Sequence, residues 1–183
     1  MLVIHPKDRT TAMLTALYDG MPDARLLDCT LSGKAIAHVL SHTPQSERIM
    51  LLGHGCDRGL FWREDDTKDG FDRIVVGHSH AYHLRRHGGN IVAVFCNADL
   101  YAKTEGLHGL YTGMIISEMS EAALYGIKTT QDELDRENDL FASRLRSLLD
   151  KEVPLHHIPL RMKEMDDART PLTTFNYNNI HYL

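Results

Sequence analysis

The sequence Arg48-Ile49-Met50-Leu51-Leu52-Gly53-His54-Gly55 is a short apolar run that ends in a histidine between two glycines. A second run, Asn90-Ile91-Val92-Ala93-Val94-Phe95-Cys96-Asn97-Ala98-Asp99, follows it and carries a cysteine near its end. Short apolar runs that are rich in branched residues and bounded by glycine or polar residues are typical of strands buried on both faces of a parallel sheet. Because ligands bind at the carboxyl edge of such a sheet, we expect His54 and Cys96 to meet there.

The segments around these two runs alternate between strand-like and helix-like patterns. Residues 2–4 and 25–29 are strand candidates, and apolar residues at helical spacing lie between them. Residues 131–149 form the clearest helical pattern, with an apolar face opposite a charged one. The sequence therefore predicts one α/β domain over residues 1–183, with a mostly parallel sheet of about five or six strands and helices on both faces.

The remaining segments give weaker patterns. Residues 106–126 contain many small residues and are predicted to form a helix that lies close against the sheet. Residues 155–160 and 175–183 are predicted to be late strands or extended tails. The polar stretch after His54 is predicted to hold a small hairpin, with residues 59–62 as one arm and Asp69-Gly70 in a turn.

The composition argues against several classes of protein. With 43% hydrophobic and 25% charged residues it is that of an ordinary soluble globular protein. No apolar run approaches the ~18 residues needed to span a bilayer, and the N-terminus lacks the pattern of a secretory signal, so we expect a cytoplasmic protein that does not contact membranes. A net charge of -5 without a basic stripe argues against nucleic acid as a partner.

The three scattered cysteines, Cys29, Cys56 and Cys96, argue against a disulfide framework and against a thiolate zinc site. The oligomeric state is left open.

The strand-ending histidine carries a resemblance to a known family. Leu51-Leu52-Gly53-His54-Gly55 is similar to the His-Gly segment of the caspase-like cysteine peptidases, the group that includes caspases, gingipains, clostripain and CHAT-type peptidases. In that group the next main strand ends in the nucleophilic cysteine and a glycine-bearing helix follows, and residues 92–99 and 106–126 occupy those places here. The resemblance implies a caspase-like three-layer sandwich, with His54 as general acid/base and Cys96 as nucleophile.

The same resemblance implies the rest of a peptidase site. The backbone N–H of Gly55 would stabilise the oxyanion, and Asp99 would lie beside the substrate, so both are predicted substrate-binding residues. The implied substrate or partner is a peptide or a protein. The implied chemistry uses no cofactor and no metal.

The pattern departs from that family at the expected nucleophile. When the segment 95–99 is laid on the family pattern, Asp99 falls where the cysteine is expected and Cys96 comes three residues early. Since side chains alternate along a strand, a shift of three would turn Cys96 to the other face. On that register the protein is a catalytically inactive, caspase-like binding or regulatory protein. Cys56 is too close to His54 in sequence to form a relaxed pair with it, and is interpreted as a loop thiol.

A second resemblance supplies a third hypothesis. Asp72-Arg73-Ile74-Val75-Val76-Gly77-His78-Ser79-His80 resembles the strand-Gly-His-x-His segment of calcineurin-like metallophosphoesterases, in which a two-metal centre activates water. This resemblance implies a metal role for four histidines: His54, His78, His80 and His83. The carboxylate and asparagine ligands of that family have no counterpart at the expected places in this chain.

Two carboxylates in an otherwise apolar stretch are a further candidate pair. Glu118 and Glu121 are three residues apart, which places them on one face if this stretch is helical. Paired carboxylates of this kind serve acid/base or metal chemistry, or cap and neutralise neighbouring groups.

Overall fold

The computed structural model describes residues 1–65, 67 and 70–183. In chain order its strands are β1 (Leu2–Ile4), β2 (Arg25–Leu26), β3 (Ile49–Leu52), β4 (Gly55–Cys56), β5 (Gly59–Trp62), β6 (Arg73–Gly77), β7 (Ile91–Val94), β8 (Gly109–Thr112) and β9 (Ile180–Tyr182). Its helices are α1 (Gly33–His42), α2 (His78–Leu84), α3 (Ala98–Glu105), α4 (Met119–Leu124), α5 (Gln131–Asp150), α6 (Ile158–Glu164) and α7 (Pro171–Asn178), with 3-10 helices at Ala12–Leu17, Arg85–His87 and Leu155–His157. Within the described residues, none of the helices combines the length and the apolarity needed to cross a bilayer.

Six strands form the main sheet in the order β2-β1-β3-β7-β8-β9. Neighbouring strands are parallel except for β8 and β9, which are antiparallel. β3 lies inside the sheet and pairs with β1 on one side and β7 on the other, so that Met50 lies opposite Val92. The two apolar runs of the sequence are therefore adjacent strands, and the predicted α/β fold with a mostly parallel sheet is confirmed.

Helices cover both faces of this sheet. Side chains alternate between two apolar layers because the central strands are buried on both sides. Leu51 and Ala93 pack with residues of α1, α2 and α3 on one face. Met50 and Val92 pack with residues of α5, α6 and α7 on the other. The result is a three-layer arrangement.

A second, three-stranded sheet follows β3 directly. Only Gly53 and His54 separate β3 from β4, and β4, β5 and β6 pair antiparallel in that order. The predicted hairpin arm at residues 59–62 is β5, and it pairs with both of its neighbours. The predicted turn at Asp69-Gly70 lies partly outside the described residues, since Asp69 is not among them. The small sheet thus begins at the carboxyl edge of the main one.

The chain after α3 differs from the sequence prediction. Residues 106–126 do not form one helix, because β8 pairs in parallel with β7 and α4 begins only at Met119. All four residues of β8 are buried, and Gly109 adopts a φ of 151° that other residues rarely adopt. The small residues allow the chain to approach β7 closely, and a strand rather than a helix makes that approach.

The prediction for the C-terminal segments was also largely wrong. Residues 155–160 contain a 3-10 helix and the start of α6, and only β9 is extended within residues 175–183. α7 begins after Thr170, whose Oγ1 accepts a hydrogen bond from the backbone N–H of Thr173 at 3.3 Å. Proline near the first position of α6 and of α7 favours a helix start. Burial of Ile158 and Met162, four residues apart, stabilises α6 against the sheet.

Gly109→Ala is expected to destabilise the fold. Gly109 has a positive φ, and a Cβ atom there would collide with the backbone oxygen of Ile91 in β7. We expect the free energy of unfolding, measured by urea denaturation, to fall by about 2 kcal/mol or more.

Gly88→Ala is the matched control for this substitution. Its φ is -50°, and the nearest atom to an added Cβ would lie 3.7 Å away. Its free energy of unfolding should change by less than about 0.5 kcal/mol. Equal effects in the two variants would contradict the close packing of β8 on β7.

Candidate functional site

Loops from neighbouring strands meet at the carboxyl edge of the main sheet. His5, Asp8 and Thr10 follow β1, His54 follows β3, and Cys96 follows β7. β1, β3 and β7 are consecutive in the sheet, so these loops lie side by side. The edge is therefore the place where the candidate residues are brought together.

Asp8 is the most extensively hydrogen-bonded side chain of this edge, and it is 4% exposed. Its Oδ1 accepts hydrogen bonds of 2.9 or 3.0 Å from the backbone N–H and the hydroxyl of both Thr10 and Thr11. Its Oδ2 accepts hydrogen bonds from the guanidinium of Arg63 and lies 3.2 Å from Nε2 of His54. One carboxylate thus joins the loop after β1 to the end of β3 and to the residue that follows β5.

His54 is held through one ring nitrogen. Its Nε2 lies 2.7 Å from Oγ1 of Thr10 and 3.2 Å from Oδ2 of Asp8. Because the Thr10 hydroxyl donates its hydrogen to Asp8, Nε2 carries a hydrogen and donates to both oxygens. The ring of Phe71 lies 5.2 Å from the imidazole, centroid to centroid. Because Nε2 carries the hydrogen, the lone pair of the neutral imidazole is on Nδ1.

Two titratable groups beside His54 have displaced pKa values. Burial raises the pKa of Asp8, but the hydrogen bonds from His54 and Arg63 outweigh it and hold that pKa well below its usual range. Burial lowers the pKa of His5 to about 4. The Nδ1 atom of His5 lies 3.0 Å from the Tyr18 hydroxyl, and its Nε2 is buried without a partner among the described residues. At neutral pH Asp8 is charged and His5 is neutral.

Cys96 and His54 line the same small cavity. This cavity has a volume of about 20 Å³, which is enough for one water molecule. Its Sγ donates a hydrogen bond to the backbone oxygen of Ile115 at 3.8 Å, and no hydrogen bond joins Cys96 to His54 in the described chain. Burial, and after it the charge of Glu121, raises the pKa of the Cys96 thiol to about 11. The thiol is therefore protonated at neutral pH. The expected His54/Cys96 dyad stays a prediction.

A larger cavity of about 600 Å³ opens next to this small one. Met13 and Ser117 line both cavities. The loop after β1, the residues around the start of α4 and the first half of α5 contribute the other lining residues: Arg9, Thr10, Glu118, Met119, Ser120, Gln131, Asp135, Asn138 and Asp139. We call this space the main cavity. Its lining is mostly polar and carries three carboxylates.

The two predicted substrate-binding residues lie outside both cavities. Gly55 is in β4, opposite Leu60, and packs so closely on the ring of Phe95 that a Cβ atom would collide with it. Asp99 is in the first turn of α3 and forms an ion pair of 2.7 Å with Lys103. Their substrate-binding roles stay predictions, and the local packing explains why these residue types suit their positions.

Two histidines of the phosphoesterase hypothesis, His78 and His80, have separate hydrogen-bond partners. His78 is 90% exposed and its Nδ1 lies 2.8 Å from Oε1 of Glu105. His80 is buried, with Nδ1 accepting from the backbone N–H of Gly77 and Nε2 lying 3.0 Å from the backbone oxygen of Gly33. In the part of the chain that the structure describes, no three His, Cys, Asp or Glu side chains form a cluster that could hold a metal ion.

Glu118 and Glu121 do not share a helix face, because α4 begins only after Glu118. Oε2 of Glu121 accepts hydrogen bonds from the backbone N–H groups of Ser117 and Glu118, at 2.7 and 3.1 Å. Glu121 therefore caps the start of α4, whereas Glu118 lines the main cavity.

Asp8, Thr10 and Arg63 were missed as site residues by sequence reasoning. A signal for Asp8 does exist, since an Asp-x-Thr-Thr segment directly after a predicted strand places its polar groups at the carboxyl edge of the sheet. Arg63 has no such signal, because it is 55 residues from Asp8 and follows a strand of the other sheet.

The chain matches no protein-family model and no curated protein.

Asp8→Asn is expected to destabilise the protein and to change its response to acid. Removing one partner of a buried ion pair should lower the free energy of unfolding by about 3 kcal/mol at neutral pH. The wild-type carboxylate has a lowered pKa, so its contribution is present above its unfolded pKa of about 3.9 and is lost as the pH falls below it. The difference between variant and wild type, measured by urea denaturation from neutral to acid pH, should therefore shrink towards low pH.

Asp28→Asn is the matched control. Asp28 accepts the same pair of hydrogen bonds from the backbone N–H and hydroxyl of Thr30, at 2.9 and 2.7 Å, but on the exposed surface. This substitution should leave the free energy of unfolding nearly unchanged. Equal losses in the two variants would mean that the contacts of Asp8 with Arg63 and His54 add nothing.

Proposed function

We propose that the protein binds a positively charged, peptide-like ligand in the main cavity, as a catalytically inactive relative of the caspase-like peptidases. The charge of the main cavity is the observation that carries this proposal. The proposed relation of the protein to the caspase-like peptidases is supported by the positions of His54 and Cys96, which follow adjacent parallel strands.

The main cavity is suited to a cation in size and in charge. Its volume of about 600 Å³ is typical of sites for small ligands. Glu118, Asp135 and Asp139 line it, against one basic residue, Arg9, among the described lining residues. Asp135 accepts a hydrogen bond of 2.7 Å from the neutral amide of Gln131. An ammonium or guanidinium group would give these carboxylates charge-assisted hydrogen bonds.

The main cavity is also connected to His54 through one of its lining residues. Thr10 lines it and bonds to Nε2 of His54 through its Oγ1. A ligand that fills the cavity would therefore lie beside the Asp8–Thr10–His54 network. Peptide-like ligands match this arrangement, because they combine a charged side chain with amide groups that bond to neutral polar residues such as Asn138 and Ser120.

Binding of N-acetyl-lysine amide and N-acetyl-arginine amide tests the proposal, with N-acetyl-norleucine amide as the uncharged analogue of lysine. We expect isothermal titration to show binding of the two charged probes and not of the uncharged one. Asp139→Asn and Asp135→Asn should each weaken binding about tenfold or more, because hydrogen bonds to charged groups contribute roughly 1.5–3 kcal/mol.

Asp132→Asn is the matched control, since Asp132 is exposed on the same helix, α5, but does not line the main cavity. It should bind the charged probes like the wild type. Equal affinity for the norleucine probe, or no binding of the charged probes, would overturn the proposal.

A cysteine-type hydrolase is the second candidate function. The cavity that His54 and Cys96 both line favours this function, as does the contact between Asp8 and the imidazole of His54. Nδ1 of His54 would take the thiol proton, the Cys96 thiolate would attack the acyl carbon, and the imidazolium would return the proton to the leaving amine. Water would then hydrolyse the thioester. The pKa of about 11 of the Cys96 thiol opposes this function, and for that reason we place binding first.

Alkylation of the native protein separates the two functions. We expect Cys96 to react with iodoacetamide at neutral pH only after denaturation, and His54→Ala to leave this rate unchanged, because the half-buried thiol is protonated and donates to the backbone oxygen of Ile115. Site-resolved mass spectrometry measures the rate, and the half-buried Cys56 serves as the internal reference. Rapid alkylation of Cys96 that is lost in His54→Ala and in Asp8→Asn would instead establish an activated thiolate and favour the hydrolase.

A further inference from the structure

Helix α1 carries two exposed histidines one turn apart, His38 and His42, away from the carboxyl edge. Their ring centroids are 4.1 Å apart. Residues at this spacing lie on one face of a helix, and two histidines so placed can bind a single metal ion.

The ring of His42 is already oriented as a metal ligand would be. Its Nδ1 lies 2.8 Å from the backbone oxygen of His38 and 2.9 Å from Oγ of Ser41. Ser41 donates its hydroxyl hydrogen to the same backbone oxygen at 2.7 Å, so both oxygens can only accept from His42. Nδ1 therefore carries the hydrogen and Nε2 has the free lone pair. Histidine ligands in metal sites usually donate their other N–H to such an oxygen, which fixes the ring and raises the basicity of the ligand nitrogen.

The position of the pair in the helix also favours a cation. His42 is the last residue of α1. The unpaired carbonyl groups of the last turn give this end of the helix a partial negative charge. A metal ion bound to His42 would lie close to that charge.

We propose that His38 and His42 form a surface site for a late first-row transition-metal ion, with Cu²⁺ preferred over Ni²⁺ and Zn²⁺. Imidazole nitrogen suits these three ions, and affinities for such a site rise from Ni²⁺ to Cu²⁺ and fall again at Zn²⁺. No third His, Cys, Asp or Glu side chain completes a cluster here among the described residues. Water fills the remaining coordination positions, so the site is open and its ion is exchangeable. This site is independent of the proposed ligand-binding function.

Titration of the untagged full chain with NiCl₂ and with CuCl₂, in a buffer that does not chelate metals, tests the site. We expect one saturable site, tighter for Cu²⁺, that is abolished in His38→Ala and in His42→Ala. Since a metal that binds only the folded state stabilises it, the metal should also raise the Tm of the wild type and of neither variant. Both side chains are exposed, so far-UV circular dichroism should show that the two variants fold normally.

The chain contains a matched control pair. The rings of His156 and His157 are also 4.1 Å apart and exposed, but the two residues are consecutive in a 3-10 helix. His156→Ala should bind metal like the wild type. Loss of binding in His156→Ala with binding retained in His38→Ala would overturn the proposal, and so would the absence of saturable binding in the wild type.

Discussion

Burial of the central strands on both faces is the constraint on which the rest of this structure depends. Every residue of β3 and of β7 is buried, and their side chains alternate between the two apolar layers. Such strands leave no place for polar chemistry along their length, because an unpaired polar group in either layer would cost about 1–3 kcal/mol. Polar side chains therefore collect where the strands end, and the parallel order brings those ends to one edge.

The buried carboxylate of Asp8 organises that edge. A charge removed from water costs several kcal/mol unless its partners replace the lost hydration. Thr10 and Thr11 supply four hydrogen bonds from its own loop, Arg63 supplies opposite charge and hydrogen bonds from a second part of the chain, and His54 supplies a hydrogen bond from a third. Each of these loops is consequently held in place by the Asp8 carboxylate, and this carboxylate in turn needs the partners that the other loops supply. This mutual dependence explains why the imidazole of His54 has one defined orientation.

One distribution of negative charge connects the main cavity to the thiol beside it. Glu118 lines the main cavity, where it favours a cationic ligand. Burial is the main reason for the raised pKa of Cys96, and the charges of Glu121 and Glu118 raise it further. The same field that attracts a cation therefore disfavours a thiolate. A ligand that neutralised Glu118 would remove part of the charge that raises the pKa of Cys96. The two candidate functions are therefore linked through one set of carboxylates.

The sequence by itself determined the α/β class, the places of the two apolar strands β3 and β7 in the chain, and the position of His54 at the end of β3. It could do so because the length and composition of apolar runs are local properties. It did not determine β8, since Gly109–Thr112 is a short run among small residues that becomes a strand only when β7 offers it hydrogen bonds. Nor did it determine the pairing of Asp8 with Arg63, which joins residues 55 positions apart. The tertiary structure alone decided that the Cys96 thiol donates to the backbone oxygen of Ile115, because that contact depends on how the loops after β7 and β8 pack, and no local pattern records their packing.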